Sequence, residues 1–106
     1  MIESLTGADF DATITASTLP YLVDFAADWC PPCAALRPGL EEFATEHDGT
    51  LRVGAIDIDS AMAVAERFAI KSVPTLILFR DGKAVKTVFG SRNARQLRVE
   101  FAPYLV

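Results

Sequence analysis

Hydrophobic positions recur with two different periods along this chain, and the switches between them divide it into strands and helices. Ile2 to Leu5 is a short strand-like run, and Thr6-Gly7-Ala8-Asp9 after it has the S/T-x-x-D form that caps a helix by pairing side chains with free backbone N–H groups. Phe10 and Ile14, four apart, give a short amphipathic helix its inward face; Ser17-Thr18 and Pro20 end it. Tyr21-Leu22-Val23-Asp24-Phe25-Ala26-Ala27 is apolar at both sets of alternating positions apart from one acid, which predicts a central strand covered on both sides. Asp24, with Leu22 and Ala26 as same-face neighbours, is expected to be buried. A lone buried carboxylate resists ionising, so its pKa is expected to rise. On pattern alone, an Asp at a strand edge reaching water stays open.

Leu36, Leu40, Phe43, Ala44 and His47 recur at three- and four-residue steps, which predicts a long helix over about residues 31–47, closed by Asp48-Gly49. Pro31 and Pro32 suit its first turn, where an N–H would have no helical partner, whereas Pro38 lies inside and predicts a kink in a single helix. Leu51 to Ile58 reads as a second strand, followed by a helix capped by Asp59 or Ser60 with Val64, Ala65 and Phe68 inward. Strand, helix, strand, helix implies a parallel βαβ pair with a right-handed crossover. Ile70 to Pro74 is a loop, and Asp81-Gly82 between the runs Thr75–Phe79 and Val85–Phe89 signals a hairpin. Gly90-Ser91 is expected to cap a last helix with Ala94, Leu97 and Phe101 inward, ended by Pro103. The class is α/β.

Composition narrows this to one domain over residues 1–106, since 106 residues at 51% hydrophobic can bury a core without disulfide staples or a structural metal. The opening Met1-Ile2-Glu3-Ser4 lacks a basic stretch followed by an apolar run, and no segment reaches membrane-spanning length. Neither signal peptide nor membrane anchor is expected, and the setting is cytoplasmic, where thiols stay reduced. A net charge of -4 argues against nucleic-acid binding. The charge is uneven: twelve acids and two bases precede Arg67, and two acids and eight bases follow from there. The two halves are expected to attract across one fold. A basic docking face at Lys83, Lys86, Arg92, Arg95 and Arg98 is the alternative.

The candidate chemistry lies in Trp29-Cys30-Pro31-Pro32-Cys33, which holds both cysteines of the chain. A three-residue offset on the first turn of a helix brings two sulfurs within reach of one disulfide. Only a thiolate attacks a disulfide, so a pKa near 8.5 must come down toward ambient pH. The helix dipole supplies roughly 0.3–1 kcal/mol, which is under one pKa unit. Hydrogen bonds must do the rest. Because Pro31 and Pro32 lack N–H groups, the Cys33 amide and thiol are the nearest donors, which makes Cys30 the attacking and Cys33 the resolving sulfur. Zinc needs about four ligands. With His47, the only histidine, at the far end of the helix and no second cysteine pair, no intrachain metal site is expected. A metal or cluster shared between two chains stays open, and a purely structural disulfide is not expected in a reducing compartment.

Leu22-Val23-Asp24-Phe25, Trp29-Cys30-x-Pro32-Cys33, Pro38, Asp57-Ile58-Asp59, Val73-Pro74-Thr75, Phe79-x-Asp81-Gly82 and Gly90 together resemble the thioredoxin family, over nearly the whole chain. The resemblance implies a central mixed sheet flanked by helices on both faces. It also implies a protein-disulfide reductase working through a reversible Cys30-Cys33 dithiol and a mixed-disulfide intermediate, with no bound cofactor. By position, Asp24 would relay the proton that Cys33 loses, Trp29 would shield the site, and Pro74 would be cis and face the disulfide. Val73 would pair its backbone with a substrate strand, beside Pro31, Pro32 and Gly90. The implied partners are disulfide-containing proteins and a flavin-containing, NADPH-dependent thioredoxin reductase, with the chain itself a monomer. Three positions depart from the family pattern. Pro31 replaces Gly, as in tryparedoxins and nucleoredoxins, whose chains are longer; Ala26 stands where a second Trp is frequent; and Ala55 stands where a Lys near the buried carboxylate is frequent. Loss of that Lys is expected to raise the Asp24 pKa beyond what burial does. Two further readings are a non-catalytic binding module using Trp29, Val73 and Pro74, and a reductase dedicated to one partner.

Overall fold

The doubly apolar run becomes β2 (Tyr21–Ala26), the middle strand of a five-stranded sheet in the computed structural model, which describes residues 1–105. Chain order is β1 (Glu3–Leu5), α1 (Phe10–Ala16), β2, α2 (Pro31–Glu46), β3 (Arg52–Asp57), α3 (Met62–Arg67), β4 (Thr75–Arg80), β5 (Lys83–Phe89) and α4 (Ala94–Phe101), with a 3-10 turn over Ala102–Tyr104. Spatial order is β1-β3-β2-β4-β5. The first three are parallel, as a βαβ crossover requires, and β4 and β5 run antiparallel, as hairpin partners do. The mixed sheet expected from the family resemblance is therefore present.

Alternation along β2 feeds two cores. Leu22 points toward α2 and α4, where Leu36, Leu40, Phe43, Leu97 and Phe101 are fully buried. Tyr21, Val23 and Phe25 point the other way, against Phe10 and Ile14 of α1 and Val64 of α3. Helices thus cover both faces. Asp24 shares the Leu22 face and is fully buried, so the strand-edge alternative is excluded.

The long helix runs unbroken through Pro38, which cannot donate to the Ala34 carbonyl. His47 closes α2, with Nδ1 3.0 Å from the Phe43 carbonyl oxygen and its ring against Phe43. Asp81 and Gly82 both take positive φ, +52° and +78°, the geometry that lets a two-residue turn follow the twist of β4 and β5. Thr6 and Asp9 exchange backbone-to-side-chain bonds, but in the turn before α1; the N-cap of the helix is Asp9, and no side chain caps it.

Two further helix starts differ from expectation. Neither Asp59 nor Ser60 caps α3: Ala61 is its first flanking residue and no side chain caps it. The Asp57 carboxylate instead accepts from the Asp59 N–H and the Asp57 carbonyl from the Ser60 hydroxyl, which uses both residues in the preceding turn. For α4 the cap is Asn93, not Gly90-Ser91; Asn93 and Gln96 form a reciprocal capping box three residues later in the chain. The two unlike-charged halves meet through Arg67 with Asp11 and Arg98 with Glu42 and Glu46, and Arg92 pairs with Glu100. Two of the five bases in the alternative docking face are therefore already held by acids.

Candidate functional site

The site sits where β2 ends and α2 begins. Cys30 has extended backbone and is the N-cap of α2, with Pro31 and Pro32 in the first turn. The missing proline N–H groups leave Cys33 as the donor, and its amide lies 3.2 Å from the Cys30 sulfur. Cys30 and Cys33 are joined as a disulfide, with Cα atoms 5.3 Å apart. Both residues are buried, but they face different spaces. An apolar groove of about 420 Å³ is lined by Trp29, Cys30, Pro31, Pro32, Ile58 and Val73. An inner cleft of about 470 Å³ is reached by Cys30 and Cys33 together. Only Cys30 touches both.

Trp29 is exposed at the groove rim, where its indole N–H donates to the Asp59 carboxylate at 2.7 Å. The Val73-Pro74 peptide is cis, and the Val73 carbonyl oxygen lies 3.6 Å from the Cys30 sulfur. Gly90 joins this edge by donating its N–H to the Pro74 carbonyl at 2.9 Å. Groove and disulfide are thereby assembled from four separate parts of the chain.

Asp24 is fully buried in β2, on the strand face that Leu22 turns toward α2. Its strand register pairs it with Ala55 on one side and Leu76 on the other, and no described residue hydrogen-bonds either carboxylate oxygen. Burial pushes its pKa up from 3.8 to about 6, with the Arg37 charge opposing the rise. This corrects the expectation that loss of the Lys at position 55 raises the Asp24 pKa beyond what burial does, since the charge that acts on it lowers the value. The positive charge arrives from α2 instead of β3. Arg37 was missed in the sequence, although its place one helical turn after Cys33 was a usable signal. Ala26 and Ala55, both small, line the inner cleft, and their truncation leaves it open to water. His47 closes the opposite end of α2, and no group of three or more His, Cys, Asp or Glu among the described residues could hold a metal.

Comparison with known proteins decides the family. The thioredoxin family model matches residues 1–102. The chain belongs to the thioredoxin family. It is 42% identical over 98 residues to a thioredoxin of Mycobacterium tuberculosis, covering 92% of this chain and 84% of the relative. It is 40% identical over 102 residues to the thioredoxin of Alicyclobacillus acidocaldarius, covering 96% of each. A bifunctional thioredoxin reductase/thioredoxin of Mycobacterium leprae matches at 41% over 93 residues, which is 88% of this chain and 20% of that protein. As a thioredoxin the chain is a thiol–disulfide oxidoreductase and protein-disulfide reductase, and the Cys30–Cys33 disulfide is its redox-active group. Thioredoxins use this disulfide in place of a bound cofactor. No described helix is long and apolar enough to cross a membrane.

Proposed function

We propose that residues 1–106 act as one domain in which Cys30 attacks the substrate disulfide and Cys33 resolves the mixed disulfide. The observation that carries this order is the placement of the two sulfurs. Cys30 lines the apolar groove, whereas Cys33 opens only to the inner cleft. A substrate strand lying in the groove meets Cys30 first, and its backbone can pair with that of Val73, which precedes β4 and lies beside cis-Pro74. Trp29, Pro31 and Pro32 supply apolar surface, and Gly90 holds the Pro74 carbonyl in place.

The Cys30 thiolate attacks one substrate sulfur, and the other leaves as a thiolate. Cys33 then gives its proton to Asp24, attacks the Cys30 sulfur, and expels the second substrate thiolate as the Cys30–Cys33 bond forms. A carboxylate near 6 is mostly ionised at neutral pH yet takes a proton readily, which suits this relay. Two electrons must then return to the disulfide. The fused Mycobacterium leprae relative supports an NADPH-dependent thioredoxin reductase as their source. The setting is a reducing cytoplasm, and the protein works as a monomer with the Trp-Cys-Pro-Pro-Cys site as its distinguishing variant.

Reductase-coupled turnover on an accessible protein disulfide, together with redox equilibration against glutathione, tests the reading. NADPH oxidation that depends on Cys30, with equilibrium well on the reducing side of glutathione, is expected. Turnover no faster than that of a free dithiol, or undiminished in Cys30→Ser, would remove it.

A further inference from the structure

The inner cleft has a charged wall that the roles above leave unused. It lies under the first turns of α2, over the ends of β1, β3 and β2, and Arg37 is its one basic side chain among the described residues. Cys33 and Arg37 are four residues apart on α2, so they lie on the same side of the helix, and both line the cleft, Cys33 buried and Arg37 exposed. Across from them, Asp24 and Ala55 are register partners on neighbouring parallel strands and point to the same side. Ala55 ends at Cβ and lines the cleft on that side, so β3 brings no charge to Asp24 at this register position. No described residue forms an ion pair with Arg37, unlike Arg52, Arg67, Arg92 and Arg98, each of which is held by a carboxylate.

We propose that Arg37 is a positioning residue of disulfide exchange: the cation that balances Asp24 across this cleft while Cys33 becomes a nucleophile. The proposal rests on the relay role of Asp24 given above. The other titratable or polar groups lining the cleft include Cys30 and Cys33, Asp57 from β3, Asp28 from the β2–α2 connection, and Ser4 from β1, while Leu76 of β4 is the register partner of Asp24. Two of these are acids, and neither can hold the relay in its ionised form. Arg37 can, and its exposed side chain makes no direct bond to the Asp24 carboxylate that would block proton transfer. The influence of its charge on Asp24 runs in the required direction. In the step itself, the Cys33 proton moves to Asp24, the Cys33 sulfur bonds to Cys30, and the bond from Cys30 to the substrate sulfur breaks, its electron pair leaving with that sulfur. Arg37 touches none of the reacting atoms. It acts through Asp24 alone.

The test follows the Asp24 carboxyl carbon by NMR against pH in the reduced parent, Arg37→Met and Arg37→Lys. In parallel, reaction of each reduced protein with an aromatic disulfide releases coloured thiol in two steps, attack by Cys30 and resolution by Cys33. Arg37→Met is expected to move the Asp24 midpoint upward by roughly half a pH unit, with the pH profile of resolution moving alongside it. Arg37→Lys should restore both. Because the arginine is exposed, about 1 M salt should erase the difference between parent and Arg37→Met. In an Asp24→Asn background, Arg37→Met should change nothing. An unmoved midpoint in Arg37→Met, or an equal effect in the Asp24→Asn background, would overturn the assignment to Arg37. If Asp24→Asn itself kept the parent's resolution profile, the relay would fall and the proposal with it, a result distinct from the first two.

Discussion

The backbone amide of Cys33 lies 3.2 Å from the sulfur of Cys30, and no amide from positions 31 or 32 can share that task. Pro31 therefore acts twice. Its ring limits the motion of the open dithiol turn, and its missing N–H withholds a donor from the Cys30 thiolate. Both effects favour the disulfide, so the parent should be at least as reducing as a protein with Gly at this position. In Pro31→Gly the reduction potential should rise, with about 30 mV for each ~1.4 kcal/mol gained by the dithiol. Equilibration with glutathione measures it; a Pro31→Gly variant more reducing than the parent would refute the argument.

Asp24 should make the fold less stable as pH rises. Its folded pKa of about 6 lies above the ordinary value of 3.8, so between those values the native state holds a proton that the unfolded chain releases. Below about pH 4 both states are protonated and there is no cost; above about pH 6 the native state carries the full cost of a buried charge. At ~1.4 kcal/mol per pH unit, that cost is about 3 kcal/mol. Asp24→Asn should accordingly be more stable than the parent by about 2–3 kcal/mol at pH 7–8, and nearly equal to it at pH 3. Urea titrations at the two pH values check this. The same variant should slow resolution by Cys33 more than attack by Cys30.

Gly39 lets α2 and α4 approach backbone to backbone. A Cβ there would lie 2.9 Å from the Ala94 amide nitrogen and 3.1 Å from the Asn93 Cα, at the capped start of α4. Neither atom is the end of a flexible side chain, so the helices must part. Gly39→Ala should cost about 1–3 kcal/mol despite the better helix propensity of alanine, and it should leave the chemistry at Cys30 unchanged. Thermal unfolding with an insulin-reduction assay separates the two effects.

Much of the fold was readable because its signals are local. The doubly apolar run at β2, the period of Leu36, Leu40 and Phe43, and the Asp81-Gly82 turn each sit within one element. The order of the strands, by contrast, depends on which faces pack together, and no single segment carries it. The starts of α3 and α4 were misplaced for a related reason: several polar residues precede each helix, and before α3 the preceding turn uses Asp59 and Ser60, whereas before α4 Asn93 takes the cap. Likewise, the burial of Asp24 followed from its neighbours at period two. The cation that acts on it did not, because it comes from a helix thirteen residues on, and only the packing of that helix against the sheet brings its charge near.

The surface pairing between the chain's acidic and basic halves should be modest and sensitive to salt. Arg98 bridges Glu42 and Glu46 from α4 to α2, with all three side chains substantially exposed. Arg98→Ala should lower stability slightly at low salt and by less at high salt. Denaturation at two ionic strengths measures the difference.

The division of labour between the two sulfurs is tested most directly by trapping. Reduced Cys33→Ser and Cys30→Ser are each mixed with a protein carrying one accessible disulfide, and the products are resolved by non-reducing mass analysis. Cys33→Ser should accumulate a covalent complex joined through Cys30, because the groove delivers substrate to that sulfur and nothing resolves it. Cys30→Ser should accumulate none, since Cys33 faces only the inner cleft. A complex of equal yield through Cys33, or none through Cys30, would contradict the account.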